Sequence, residues 1–189
     1  MKSWEIIGLI SIITWTIVPF FYRSSKHFYF FLVLTAADLS TIIISRIFHD
    51  FPQVLWVPFV YLSLAMINRY KIYKNRYLIF AGLMISTIVG INSSVVIQMY
   101  IVLIVQVLSF FIFARYLISI FIEENKIDFF YLTMVFYEVL NILKLIAYLK
   151  QLSSGLNFYF AVNILQILIG IFLVTLVIFK KQKIREIKS

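Results

Sequence analysis

Two acidic residues stand in stretches that otherwise hold almost nothing but apolar side chains. Asp38 lies within Ala36-Ala37-Asp38-Leu39 and Glu138 within Phe136-Tyr137-Glu138-Val139. A carboxylate at bilayer depth costs about 3 kcal/mol on insertion scales, so it needs a reason to be there. Proton carriage is one reason, and holding a solute or a counter-ion is another.

The residues around the two acids repeat at helical spacing. Thr35, Asp38, Thr41 and Ser45 follow at intervals of 3, 3 and 4, which puts them on one helix face. Glu138, Asn141 and Lys144 do the same at 3 and 3. Further along come Asn163, Gln166 and Gly170, and earlier come Gln98, Gln106, Ser109 and Arg115. Polar faces of this kind point away from lipid, because lipid cannot satisfy them. The expectation is a polar cavity between the second, fifth, sixth and seventh segments. Its substrate or proton site is Asp38, Glu138, Asn141, Lys144, Asn163 and Gln166. Lys144 or Arg115 holds one acid ionised in the alternative in which the acids do not carry protons. The same hydroxyl and amide groups also serve to join helices by hydrogen bonds, at about 0.6 kcal/mol each.

The elements that must position these groups are membrane helices. The chain has 189 residues, 63% hydrophobic and 13% charged, with a mean hydropathy of +1.00. A soluble domain is about half apolar and a quarter charged, so a water-facing surface is excluded. Apolar runs predict seven spans near residues 4–22, 28–47, 54–68, 77–91, 95–122, 129–149 and 158–179. The third and fourth are short. No polar stretch is long enough for a separate domain, so residues 1–189 read as one integral membrane domain. The first apolar run ends without a small-residue cleavage site and reads as a permanent span.

Orientation follows from the basic residues. Twelve of them fall on one side of the seven spans, in 23–26, 69–76, 126 and 180–188, against three on the other, Lys2, Arg46 and Lys150. The N-terminus is therefore expected outside and the C-terminus in the cytoplasm. The net charge of +9 is an orientation signal, and no nucleic-acid partner is expected. Lys180, Lys181, Lys183 and Arg185 form a tail suited to anionic lipid headgroups or to a protein partner. A bias toward Ile, Lys, Phe and Asn fits a low-GC genome and hence a bacterial inner membrane.

Asp38 and Glu138 lie 100 positions apart, and at that offset Lys26 meets Lys126, Phe30 meets Phe130, Leu32 meets Leu132 and Ile42 meets Ile142. Seven spans then divide as three, a linker and three, a parallel repeat. In span count and polarity this layout is similar to the SWEET and PQ-loop transporters and the KDEL receptor. The Pro52-Gln53 pair falls in an outside loop, unlike the pair that names that family. Seven spans also occur in microbial rhodopsins, but the last segment here has no lysine before Lys180.

No cysteine, no His-Glu-x-x-His, no Gly-x-Ser-x-Gly and no phosphate-cradling glycine loop is present, so no cofactor, metal or catalytic residue is expected. Three functions fit: a small-solute transporter or channel-like permease working through mid-membrane carboxylates, a sensor or scaffold subunit of a larger complex, or a lipid-acting enzyme. The first is the leading expectation.

Overall fold

A run of apolar residues in lipid has to satisfy its backbone polar groups internally, and a helix does so segment by segment. The structure, a computed structural model, describes residues 3–48, 55–67, 74–150 and 155–188, with side chains at 6–40, 43, 55–67, 74–150, 158 and 160–180. Seven helices form there: α1 Ser3–Phe21, α2 Phe28–Phe48, α3 Trp56–Ala65, α4 Arg76–Asn92, α5 Val95–Glu124, α6 Phe129–Leu149 and α7 Gly155–Lys188. Among the described residues, α5, α6 and the Phe160–Lys180 part of α7 are long and apolar enough to cross a bilayer. Together they make this a membrane-embedded all-helical protein. Helix α7, with 34 residues, is longer than the expected segment, and helix α3 is shorter. Helix α3 has 10 residues, about 15 Å of rise. Pro58 sits in its first turn, where a missing N–H costs nothing.

Local chemistry sets several helix ends. The Asp128 carboxylate accepts from the Phe130 and Tyr131 amides and caps α6. Asn125 closes α5 in the left-handed region, at φ 50°, and lets the chain turn back within four residues. Between α4 and α5, the Gln98 amide donates to the Gly90 and Ser93 carbonyls and clamps the turn.

The principal helix contacts form a closed ring: α1 against α2, α2 against α3, α3 against α5, α5 against α6, α6 against α7, and α7 against α1. Helix α4 packs mainly on α3, outside the ring. Its side chains Tyr77, Leu78, Phe80, Met84, Ile85, Ile88 and Ile91 are exposed, a large apolar surface suited to lipid. Exchanging α1, α2 and α3 for α5, α6 and α7 maps the ring contacts onto themselves.

One end of the ring is filled with aromatic side chains. Trp15, Val18 and Tyr22 of α1 pack with Phe30 and Phe31 of α2, Phe113 of α5, Tyr131 and Met134 of α6, and Leu173 of α7. Phe30 meets Phe113 edge-on at 5.5 Å, and Tyr22 lies 4.8 Å from Phe31. Pro19 makes a particular demand here. It has no N–H to give the Trp15 carbonyl four residues earlier. The Thr35 hydroxyl of α2 donates to that carbonyl at 2.8 Å and replaces the missing bond.

Helices α1 and α7 approach closely at Gly170. A Cβ there would lie 2.6 Å from the Thr14 methyl. Thr14 is held in place because its hydroxyl donates to Ile10 O at 2.8 Å. Gly170→Ala is therefore expected to lower stability by about 1–3 kcal/mol, the range for overpacking. Adding Thr14→Ser removes the opposing methyl and should recover most of that loss. Denaturant titration in detergent reads both; simply additive effects would contradict the close approach.

Candidate functional site

The polar groups gather at the other end of the ring. A cavity of about 420 Å³ lies among α1, α2, α3, α6 and α7. Its lining comes from the middle and one end of each helix. Going from the mouth inward, α1 supplies Gly8, Ser11, Ile12 and Trp15, and α6 supplies Lys144, Asn141 and Tyr137. Helix α7 adds Asn163 and Gln166, α2 adds Ala37 and Asp38, and α3 adds Trp56, Phe59 and Val60.

Two hydrogen bonds tie α6 to α7 along one wall. The Lys144 ammonium donates to Asn163 Oδ1 at 2.8 Å. One turn deeper, the Gln166 amide donates to Asn141 Oδ1, also at 2.8 Å. Residues 141 and 144 on α6 meet residues 166 and 163 on α7 because antiparallel helices place i and i+3 opposite j and j−3. Asp38 stands on α2 and is exposed to the cavity. It and Lys144 are close enough to act on each other through charge. The floor is aromatic, with Trp15 and Tyr137 rings 4.7 Å apart. Beneath it begins the aromatic end of the ring.

Glu138 is not part of the lining. It is 2% exposed and packed beside the floor, with Asn141 as its polar neighbour. One of its oxygens, Oε2, has no hydrogen-bond partner among the described residues. So five of the six residues expected from sequence surround one cavity, and the sixth, Glu138, is buried outside its lining.

Helix α5 does not contribute to the lining, although its polar residues pointed there. Gln98 is committed to the α4–α5 turn, Ser109 is buried, and Arg115 is exposed at the helix surface. Thr35 is committed to the Trp15 carbonyl. The Thr41 and Ser45 side chains lie outside the described residues. So do those of Lys181, Lys183 and Arg185; Lys180 is exposed. What the sequence reading missed is the wall from α1 and α3. Small Gly8 and Ser11, three apart, were the available signal for α1. Trp56 and Phe59 supply the α3 wall.

His27 is the other feature that the pattern of residues did not single out. It sits in the turn between α1 and α2 and is 4% exposed. Its Nδ1 is 2.9 Å from Ile67 O, and a carbonyl only accepts, so Nδ1 carries the proton. In the neutral ring Nε2 is then an acceptor, and the Tyr131 hydroxyl donates to it at 3.3 Å. The ring also stacks on Phe130, 4.5 Å away. His27 thus ties the α1–α2 turn to the end of α3 and the start of α6. Among the described residues, no three His, Asp or Glu side chains come together as a metal set would need.

No family model, curated protein or solved structure matches the chain. The functional argument therefore rests on the geometry above.

Proposed function

We propose that this protein is a seven-span carrier of a small polar solute in a bacterial inner membrane. Its N-terminus is outside and its C-terminus is in the cytoplasm. The observation that carries this reading is the division of one helix ring into two ends. One end holds an accessible polar cavity with charged walls, and the other is filled with aromatic side chains. A carrier open to one side and closed to the other has this arrangement. The basic residues Arg23, Lys26, Lys74, Arg76 and Lys126 belong to the aromatic end, which supports placing that end at the cytoplasm. The cavity then faces outward. The ring contacts that map onto themselves support a parallel repeat of α1–α3 and α5–α7, with α4 as the linker. Rocking of one such half against the other is how repeat-built carriers exchange access.

Asp38 and Lys144 hold the solute in this reading, and the buried Glu138 carries the coupling proton. The test is uptake into proteoliposomes from a panel of labelled amino acids, sugars and organic acids. Asp38→Asn and Lys144→Met are each expected to cut uptake of the accepted solute at least about tenfold, the loss of a charge-assisted contact. Glu138→Gln is expected to abolish stimulation by a pH gradient. If no solute enters faster than into protein-free liposomes, the carrier reading is wrong.

One observation favours a second reading, a sensor or scaffold subunit. Helix α7 continues to Lys188, beyond the apolar part that ends at Lys180, and the extension is basic. A partner that co-purifies with the full chain and is lost on removing residues 180–189 would establish it.

A further inference from the structure

The cavity presents one carboxylate and one ammonium, and this fixes more than polarity. A ligand of single charge would satisfy one of them and sit beside a like charge at the other. An uncharged ligand would have to separate the two while returning hydrogen bonds but no opposite charge to either. A ligand that bears both signs gives each wall group an opposite charge in place of the one it leaves.

Relative depth can be read from the contacts. Thr35 bonds to Trp15 O, and the Trp15 ring touches Tyr137, so Thr35, Trp15 and Tyr137 lie near one level. Asp38 is three residues from Thr35, about 4.5 Å toward the mouth. Lys144 is seven residues from Tyr137, about 10 Å toward the mouth. Asp38 is therefore rooted on its helix roughly one turn deeper than Lys144 is on its own. Both charged groups line the cavity and act on each other, so the ammonium and carboxylate of one small ligand can reach the two together.

The remaining walls are selective too. Asn163 accepts from the Lys144 ammonium and holds it at the cavity wall. Trp15, Trp56, Phe59 and Tyr137 offer aromatic surface around the floor and α3 wall. The volume of about 420 Å³ lies within the range of small-ligand pockets. It leaves room for a large side chain beside the charged head.

We propose that the cavity binds zwitterionic α-amino acids with large apolar or aromatic side chains. The ligand ammonium goes to Asp38, its carboxylate to Lys144, and its side chain to the aromatic wall. This inference rests on the cavity being the ligand site of the carrier reading.

The experiment is equilibrium binding to the full chain in nanodiscs, with labelled L-phenylalanine and L-leucine as probes. Phenethylamine, which lacks the carboxylate, and 3-phenylpropionate, which lacks the ammonium, serve as competitors. Saturable binding of a probe is expected, with each one-charge analogue at least about tenfold weaker. This comparison uses the unaltered protein, so it does not depend on how well a variant folds. Asp38→Asn should weaken L-phenylalanine at least about tenfold, and that penalty should disappear for 3-phenylpropionate. Asp38→Glu should restore part of it. Lack of saturable binding by either probe overturns the proposal, as does equal binding of zwitterion and one-charge analogues. Amino-acid binding without flux in liposomes would keep this ligand class and remove the carrier reading. Flux of another solute without amino-acid binding would do the reverse.

Discussion

Phe113→Ala is expected to lower stability by about 3–5 kcal/mol, among the largest losses available to a single substitution in this chain. Phe113 is fully buried, at 0% exposure, on the inner face of α5. It packs edge-on against Phe30 of α2 at 5.5 Å and lies 6.5 Å from the Tyr131 ring of α6. It is thus the contribution of α5 to the filled end of the ring. Its neighbours are held elsewhere. Tyr131 faces His27, and Phe30 lies against Phe31, which packs on Tyr22 and Phe130. They cannot collapse into the void, so most of the cavity cost stays. Phe113→Leu keeps more of the volume and should lose well under half as much. Reversible unfolding in mixed detergent, with both variants beside the parent, gives the measurement. Equal and small losses would mean that the ring end is loosely packed and cannot act as a seal.

The helices and the polar side chains of this chain are legible in its sequence for the same reason. Lipid removes the middle ground: a residue is apolar or it has a partner. That is why Asp38, Glu138, Asn141, Lys144, Asn163 and Gln166 stand out in the sequence as polar groups within apolar segments. Which helices surround the group was not visible. Helical spacing tells that Gln98 and Ser109 share the interior, but not that Gln98 spends its amide on the α4–α5 turn. Nor does it tell that Pro19 creates a need that Thr35 fills from another helix. Such assignments depend on pairs of residues far apart in the chain. The short helix α3 shows a similar limit. Its apolar run predicts a segment at 54–68, and the helix there covers 10 of the described residues and lines the cavity.

The filled end and the open end also explain where the two acids differ. Asp38 meets the cavity, where the proposed carrier has it exchange partners with the solute. Glu138, the next residue after Tyr137 on α6, is buried and outside the lining. One acid at the cavity and one buried behind its wall suits the proposed carrier, in which solute binding and proton movement are coupled through a rearrangement of α6. Tyr137 and Glu138 are neighbours on that helix, so any shift of the floor moves both.

Acidification is expected to destabilise the protein through His27, by an amount on the order of 3 kcal/mol. Burial is the main reason: it pushes the His27 imidazole down from 6.5 to about 4. The Ile67 carbonyl pulls the other way, Lys26 adds to the depression, and Asp128 opposes it. Protonation would also turn Nε2 from acceptor to donor, so the bond from the Tyr131 hydroxyl would be lost as it stands. In the unfolded chain the ring takes a proton near pH 6.5; in the folded chain it resists until about pH 4. Between these values the unfolded state binds more protons, so stability rises with pH. The contribution is complete above about pH 6.5 and is lost as pH falls toward 4. The measurement is unfolding free energy against pH for the parent and for His27→Gln. The glutamine amide still donates to the carbonyl and still accepts a hydroxyl, but it does not titrate. The difference between the two curves should slope through pH 6.5–4 and be flat above it. A flat difference throughout would mean that the turn opens to water and that His27 does not hold α1–α2 against α3 and α6. A slope would make this turn the acid-labile hinge of the filled end, at the cytoplasmic side in the orientation proposed above.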